Sequence, residues 1–201
     1  TLPHAPEVID VPPADSFRRP HRLSLAIRGV GGQGNLFFGK VLAQVAFLAG
    51  YDDRNILKGE THGMAQMGGP VISTFGCGEV FSPALVPGTA NVLIAMEKAE
   101  VLRPGFLDLL EPGGTVLMAD TRILPHGLKP EAYPSDEAIA AQLEGYRVVS
   151  VDVLSIALNL GDPKGRCANV AMLGVLSTLP PFDVVPEAVW LQALRGISRK
   201  P

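Results

Sequence analysis

The sequence GVGGQG at residues 29–34 follows the first apolar segment of the chain. Its spacing is that of loops that hold a phosphate group between a buried strand and a helix. Glycines allow positive φ and close backbone approach, and the first turn of the helix offers free N–H donors and partial positive charge. The loop could therefore bind a dinucleotide, bind another anion, or be a tight turn whose glycines serve packing alone.

A dinucleotide site also requires an acidic residue about 20 residues further on, at the end of the second strand, where it binds the ribose. Asp52 and Asp53 come too early, in the turn before that strand. Glu60 follows the strand, but it comes late and lies within a glycine-rich segment. The dinucleotide fingerprint is therefore incomplete, and the three alternatives remain open.

The segment KGETHGMAQMGGP at residues 58–70 has few core-forming side chains and many hydrogen-bonding groups. Loops of this length inside a compact domain are frequently functional. Glu60 and His62 could form an acid–base pair or hold a ligand, although a loop histidine more often makes an ordinary hydrogen bond. Met64 and Met67 could line an apolar site or fill gaps. The segment is a candidate binding loop.

Glu97, Lys98 and Glu100 follow the apolar run NVLIAM, at the edge where α/β sheets bind ligands. The alternative is that Glu97 and Glu100 only stabilise the first turn of the next helix. The sequence contains no Ser-His-Asp order, nucleophile elbow, Walker A lysine or iron–sulfur cysteine run. We therefore expect no complete catalytic apparatus and no metal site in this chain alone.

Short apolar runs alternate with longer helical stretches. Strands are predicted at 23–28, 55–58, 71–75, 91–96, 115–119 and 147–151, and helices at 33–49, 98–110, 135–143 and near 152–160, 166–179 and 186–196. This alternation, with near-continuous apolar strands, predicts a three-layer, Rossmann-like α/β fold with a mainly parallel sheet and helices on both faces. The helix at 33–49 is apolar on most sides, which indicates burial by more than one layer or contact with another subunit.

Residues 1–21 contain five prolines and no apolar period, so we expect a linker or extended arm before a single domain at 22–201. The net charge of −3 gives no electrostatic reason to expect a nucleic acid or an anionic membrane as partner. Two cysteines, with no signal peptide and no apolar segment long enough to span a bilayer, favour a reducing cytoplasm. The first residue is Thr, which suggests processing or a piece of a longer polypeptide.

Four segments occur in a defined order: GVGGQGNLFFGKVLAQVAFLAGY, HGMAQMGGPVIS, FSPALVPGTANVLIAMEKAEVLR and LEPGGTVLMAD. In this order and spacing they resemble the gamma subunit, or gamma domain, of 2-oxoacid:ferredoxin oxidoreductases. The GMAQMGG form is most similar to the small subunit of indolepyruvate ferredoxin oxidoreductases. The similarity is specific from residue 23 to residue 120 and looser beyond, through NVAMLGVLSTL.

The resemblance implies an enzyme complex that decarboxylates an aryl or branched 2-oxoacid, such as indolepyruvate, on thiamine diphosphate. Electrons would pass through iron–sulfur clusters to ferredoxin, and the acyl group would pass to coenzyme A. The thiamine and the cluster ligands would belong to other subunits or domains. The resemblance implies a site wall or phosphate loop at Gly29, Gly31, Gly32, Gln33 and Gly34, a second loop at Gln66, Gly68 and Gly69, and an adjacent strand end at Glu97.

Two positions depart from the family pattern. Arginine is usual at the position of Met67, and another arginine is frequent near Gly76. Methionine and glycine cannot hold a carboxylate or phosphate as arginine does, which implies a different or more apolar 2-oxoacid, or altered acyl-acceptor chemistry. The alternatives are a stand-alone NAD(P)- or FAD-dependent oxidoreductase and a purely structural interaction module.

Overall fold

The computed structural model describes residues 9–60, 69–124, 129–162, 165 and 167–197. Its strands are β1 (Arg22–Val30), β2 (Ile56–Glu60), β3 (Pro70–Gly78), β4 (Ala90–Ala95), β5 (Leu110–Ala119) and β6 (Arg147–Val151). Its α-helices are α1 (Asn35–Leu48), α2 (Asp136–Gln142), α3 (Val153–Asn159), α4 (Ala168–Leu176) and α5 (Glu187–Ile197). Short 3₁₀ turns lie at Asp53–Asn55, Lys98–Leu102, Leu107–Leu109, Pro130–Ala132 and Phe182–Val184.

The strands of the described residues form one sheet in the order β2-β3-β1-β4-β5-β6. The pairs β1–β4, β4–β5 and β5–β6 are parallel, whereas β3 is antiparallel to both of its neighbours. Only β3 therefore runs against the other strands of this sheet. The prediction of a mainly parallel α/β sheet is confirmed.

Alternate residues of the strands face two apolar cores. Leu25 and Ile27 of β1 belong to the larger core, which α1, α3, α4 and α5 cover. Ala26 faces the smaller core, which is closed by α2 and by the 3₁₀ turns that follow β4. Helical segments therefore cover both faces. Because α1 packs on the sheet and against α5, most of its wide apolar surface is buried, while Leu36 and Phe47 stay exposed.

The helix predicted at 98–110 is wrong. The chain instead forms two 3₁₀ turns, Lys98–Leu102 and Leu107–Leu109. Between them Arg103 is extended, as expected for a residue before proline, and Gly105 has a φ of 76°. The strand predicted to begin at Thr115 also begins earlier, at Leu110, and its pairing with β4 shifts register between the pairs Ala90–Leu110 and Val92–Thr115.

The described part of the N-terminal segment lies against the end of α1. Phe17 packs against the larger core, and the Arg19 guanidinium donates a hydrogen bond to the carbonyl oxygen of Gly50. The hydroxyl of Tyr51 donates to the carbonyl oxygen of Pro20 over 2.7 Å. The division into an arm at 1–21 and a domain at 22–201 stays a prediction.

No helix among the described residues is long and apolar enough to cross a membrane.

Candidate functional site

The candidate site lies at the carboxyl ends of β1, β4 and β5. Ligands bind to open α/β sheets where connections leave neighbouring strands in opposite directions, and here that point lies between β1 and β4. A crevice of about 420 Å³ opens there, within the range of small-molecule sites. Its walls include Gly32 and Gln33 of the glycine loop, Met96 after β4, residues 121–123 after β5, and Asn169 of α4.

Glycine is required at different positions of the loop for different structural reasons. Gly32 and Gly34 have φ values of 99° and 82°, in the left-handed region that favours glycine. A Cβ at Gly34 would collide with the side-chain amide of Asn169, whereas a Cβ at Gly32 would meet open space. A Cβ at Gly29 would lie 2.8 Å from Oε1 of Gln33. Close packing therefore requires Gly29 and Gly34, and Gly32 borders the open crevice.

The side chain of Gln33 joins the ends of two strands. Its Oε1 accepts a hydrogen bond from the N–H of Val30 at the end of β1, over 2.7 Å. Its Nε2 donates to the carbonyl oxygen of Met96, also over 2.7 Å. The hydroxyl of Thr121 donates to the same oxygen, so the ends of β1, β4 and β5 are connected at this point. The predicted site residue Gln33 thus forms a brace under the loop.

The second predicted loop is described only at its end. The N–H of Gly31 donates to the carbonyl oxygen of Gly69 over 2.9 Å, so the two loops meet at the backbone. Gln66 and Gly68 lie outside the described residues. The roles predicted for these loop residues stay predictions.

The two positions where family arginines are replaced differ in location. Met67 lies outside the described residues. Gly76 pairs with Ser24 near the amino end of β1, five residues before Gly29 and therefore roughly 17 Å from the loop. Gly76 consequently does not line the crevice.

Glu97 lies at the strand end, but its carboxylate points to protein groups. It accepts hydrogen bonds from the hydroxyl of Tyr133 and from the backbone N–H groups of Ala99, over 3.0 Å, and Ile123, over 3.4 Å. Burial raises the pKa of this carboxyl, and the hydrogen bonds oppose that rise only in part. Glu97 therefore holds the 121–123 wall and the following turn, and its proposed contact with a cofactor stays a prediction.

The raised pKa of Glu97 predicts a pH dependence of stability. The folded chain binds this proton more tightly than the unfolded chain, so the free energy of unfolding falls as the pH rises from about 4.5 through the raised pKa. Each unit of pKa difference corresponds to about 1.4 kcal/mol. Urea unfolding at several pH values should show this loss in the wild type and not in Glu97→Gln. Parallel curves for the two proteins would contradict it.

The sheet order explains why the dinucleotide fingerprint is incomplete. In a dinucleotide site the acid stands at the end of the strand beside the loop strand. Here β3 separates β2 from β1, so Glu60 ends a strand about 10 Å away, two strand spacings instead of one. Asp52 and Asp53 precede β2 and lie toward its opposite end. The geometry therefore disfavours dinucleotide binding.

The start of α1 has polar groups suited to an anion. Within the described part of the chain, the backbone amides of Gly32, Gly34 and Asn35 make no hydrogen bond. The side chain of Asn35 is also buried, at 8% exposure, and neither its Nδ2 nor its Oδ1 has a partner. An unpartnered buried polar group costs about 1–3 kcal/mol, and a ligand can satisfy it. These residues fit a phosphate or carboxylate group.

The described residues do not fit a metal cofactor. In the described ranges no three His, Cys, Asp or Glu side chains lie close enough together to hold a metal ion. The whole sequence has two cysteines, whereas an iron–sulfur cluster is commonly held by four. Burial also raises the pKa of the Cys77 thiol to about 12, which disfavours the thiolate that a metal requires.

Four site residues were not anticipated from the sequence: Asn35, Arg122, Tyr133 and Asn169. Asn35 directly follows the loop and Arg122 follows a predicted strand, so both had a positional signal. Tyr133 and Asn169 come from distant segments, and only the folded chain brings them to this edge.

Comparison with known proteins identifies relatives of the chain. Residues 24–200 match the family described as pyruvate ferredoxin/flavodoxin oxidoreductase. The indolepyruvate oxidoreductase subunit IorB of Archaeoglobus fulgidus is 35% identical over 159 residues, which are 77% of this chain and 76% of the relative. The same-named subunit of Thermococcus kodakarensis is 33% identical over 172 residues, which are 83% of this chain and 82% of the relative.

A solved structure supports the fold. The gamma subunit of keto/oxoacid ferredoxin oxidoreductase from Geobacter sulfurreducens matches with a TM-score of 0.62 and 20% identity. The match covers 90% of this chain and 87% of that structure. The predicted three-layer α/β fold is therefore confirmed.

The chain belongs to the pyruvate ferredoxin/flavodoxin oxidoreductase family, because the match spans nearly all of it. Within this family it is a small subunit or domain of a 2-oxoacid:ferredoxin oxidoreductase, similar to the IorB subunits. The resemblance and the enzyme class predicted from the sequence are confirmed. Its relatives are named as subunits, which indicates that enzymes of this kind act as assemblies of several chains.

Proposed function

We propose that the chain is the non-thiamine-binding subunit or domain of a complex that oxidatively decarboxylates an aryl or branched 2-oxoacid such as indolepyruvate. The acyl group passes to coenzyme A and electrons pass to ferredoxin. The observation that carries this proposal is a crevice lined by Gly32, whose backbone amide makes no hydrogen bond among the described residues, beside the start of α1, where the side-chain amide of Asn35 is buried and unpartnered. Such a crevice suits one wall of a shared site. The names of the IorB relatives support indolepyruvate as the substrate.

The residues predicted from the sequence take distinct roles in this proposal. The backbone of Gly32 and Gly34 binds an anionic group of substrate or coenzyme, and Gly29 and Gly31 allow the loop to pack closely. Gln33 holds the loop to the strand ends. The loop containing Gln66, Gly68 and Gly69 forms the neighbouring wall, and Glu97 sets the strand end from which the 121–123 wall is held. In this proposal the role of the chain is to bind and orient the substrate or coenzyme.

The remaining chemistry belongs to partner subunits. Thiamine diphosphate supplies the carbanion chemistry of decarboxylation when it is bound, and iron–sulfur clusters carry the electrons. In this proposal their ligands lie on other subunits or domains: the described residues hold no group of three His, Cys, Asp or Glu side chains that could bind a metal ion, and the whole sequence has two cysteines. We place the complex in the cytoplasm and assign this chain a domain at 22–201 and an arm at 1–21.

Purification of the tagged chain from its natural host tests this function. We expect a large partner to co-purify, with thiamine diphosphate and the visible absorbance of iron–sulfur clusters. The purified complex should reduce ferredoxin only when a 2-oxoacid and coenzyme A are both supplied, and indolepyruvate should be preferred over pyruvate and 2-oxoglutarate. A chain that purifies alone, or that binds NAD with saturation in a calorimetric titration, would exclude the proposal.

A further inference from the structure

The crevice has one charged side chain among its described wall residues, Arg122. It follows β5, and the two residues before it are held by neighbouring strands. The N–H of Asp120 donates to the carbonyl oxygen of Val151 over 2.8 Å, and the hydroxyl of Thr121 donates to that of Met96 over 2.7 Å. The position from which Arg122 enters the crevice is therefore set by neighbouring strands.

The guanidinium of Arg122 lies on an aromatic ring. Its Cζ is 4.7 Å from the centroid of the Tyr133 ring, within the range of a cation–π contact. The hydroxyl of Tyr133 donates to the buried carboxylate of Glu97, which also accepts the N–H of Ile123. Glu97 and Tyr133 therefore orient the ring under the guanidinium. This explains why a buried acid stands at the end of β4.

The ion pair of Arg122 leaves it available to a ligand. Its Nη2 lies 3.3 Å from Oδ1 of Asp136, and both side chains are more than half exposed, so the pair is weak. Nζ of Lys98 binds the same Asp136 oxygen over 2.8 Å. Asp136 therefore keeps a partner when Arg122 turns to another anion.

We propose that Arg122 is a specificity-determining residue, binding an anionic group of substrate or coenzyme opposite the free backbone amide of Gly32. The ligand group is a carboxylate or a phosphate, both of which match the planar donors of arginine. This inference rests on the proposed function and deepens it.

Kinetics of the purified complex test the proposal. Arg122→Gln should raise the KM for the anionic ligand roughly tenfold or more, as expected when a charge-assisted hydrogen bond is lost. Arg122→Lys should recover part of this loss, because the charge returns without the planar fork. Tyr133→Phe, which keeps the ring but frees Glu97, should shift the same KM in the same direction by a smaller factor. A rise in the KM of the 2-oxoacid identifies its carboxylate as the ligand group, and a rise in the KM of coenzyme A identifies its phosphate.

The matched control is Arg147→Gln, an exposed arginine at the amino end of β6, on the opposite edge of the sheet. It should leave both KM values unchanged. If the wild-type complex is active and Arg122→Gln also leaves both values unchanged, the role of Arg122 is wrong while the proposed function stands. If the wild-type complex shows no 2-oxoacid-dependent reduction of ferredoxin, the proposed function itself fails.

Discussion

Replacing Gln33 with alanine is expected to lower turnover of the assembled complex at least tenfold and to lower the free energy of unfolding by about 2–4 kcal/mol. The change removes both hydrogen bonds that connect the end of β1 to the end of β4. It also leaves the N–H of Val30 without its acceptor. The loop then loses the support that fixes the amide of Gly32 at the crevice.

Two further variants separate the brace from a general effect of substitution. Gln33→Glu keeps an acceptor for Val30 but turns a carboxylate toward the carbonyl oxygen of Met96, so the loss should be at least as large. Gln44→Ala changes a half-buried glutamine of α1 whose side chain makes no hydrogen bond among the described residues, and it should change little. Urea unfolding and 2-oxoacid-dependent ferredoxin reduction measure both effects. Equal behaviour of Gln33→Ala and Gln44→Ala would show that the brace contributes nothing.

Local sequence signals were sufficient for most of the fold. Apolar runs such as 91–96 become buried strands because burial on both faces demands a continuous apolar segment. The helix predicted at 98–110 does not form, because Pro104 and Gly105 interrupt it although the apolar spacing continues through them. The insertion of β3 between β1 and β2 was not predicted, since strand order depends on contacts between distant segments.

The place of the candidate site residues at strand ends was predictable from the sequence, but their contacts were not. The glycine loop and Glu97 were correctly placed at the ends of predicted strands. The side chain of Gln33 can bond to both Val30 and Met96 only because β4 lies beside β1. The spacing of residues along the sequence does not predict this pairing. In the same way, the ring of Tyr133 reaches the end of β4 only through the fold, so its link to Glu97 had no signal in the sequence.

Removing the carboxylate of Glu100 is expected to give the largest loss of stability, about 3–5 kcal/mol for Glu100→Ala. This side chain is 3% exposed and joins two arginines. Nε of Arg28 lies 3.3 Å from one carboxylate oxygen, and Nε and Nη2 of Arg103 lie 3.0 and 2.9 Å from the other. Without it Arg28, whose side chain is 17% exposed, keeps only the Phe106 ring as a partner among the described residues, with its Cζ 5.7 Å from the ring centroid.

The cause of this loss is the buried charge of Arg28, which no longer has a carboxylate partner. Removing the charges of Arg28 and Glu100 together should therefore restore stability. Arg28→Met/Glu100→Met should recover most of the loss, because apolar side chains can replace a buried ion pair at little cost. Arg54→Ala, which breaks an exposed pair with Asp52, is the control and should give no resolvable change. A loss below about 1 kcal/mol for Glu100→Ala would contradict the prediction, because it would show that this buried cluster contributes no more to stability than an exposed ion pair. Because the backbone of Arg28 also accepts the N–H of Met96, the loss should loosen the strand ends that form the crevice and lower activity together with stability.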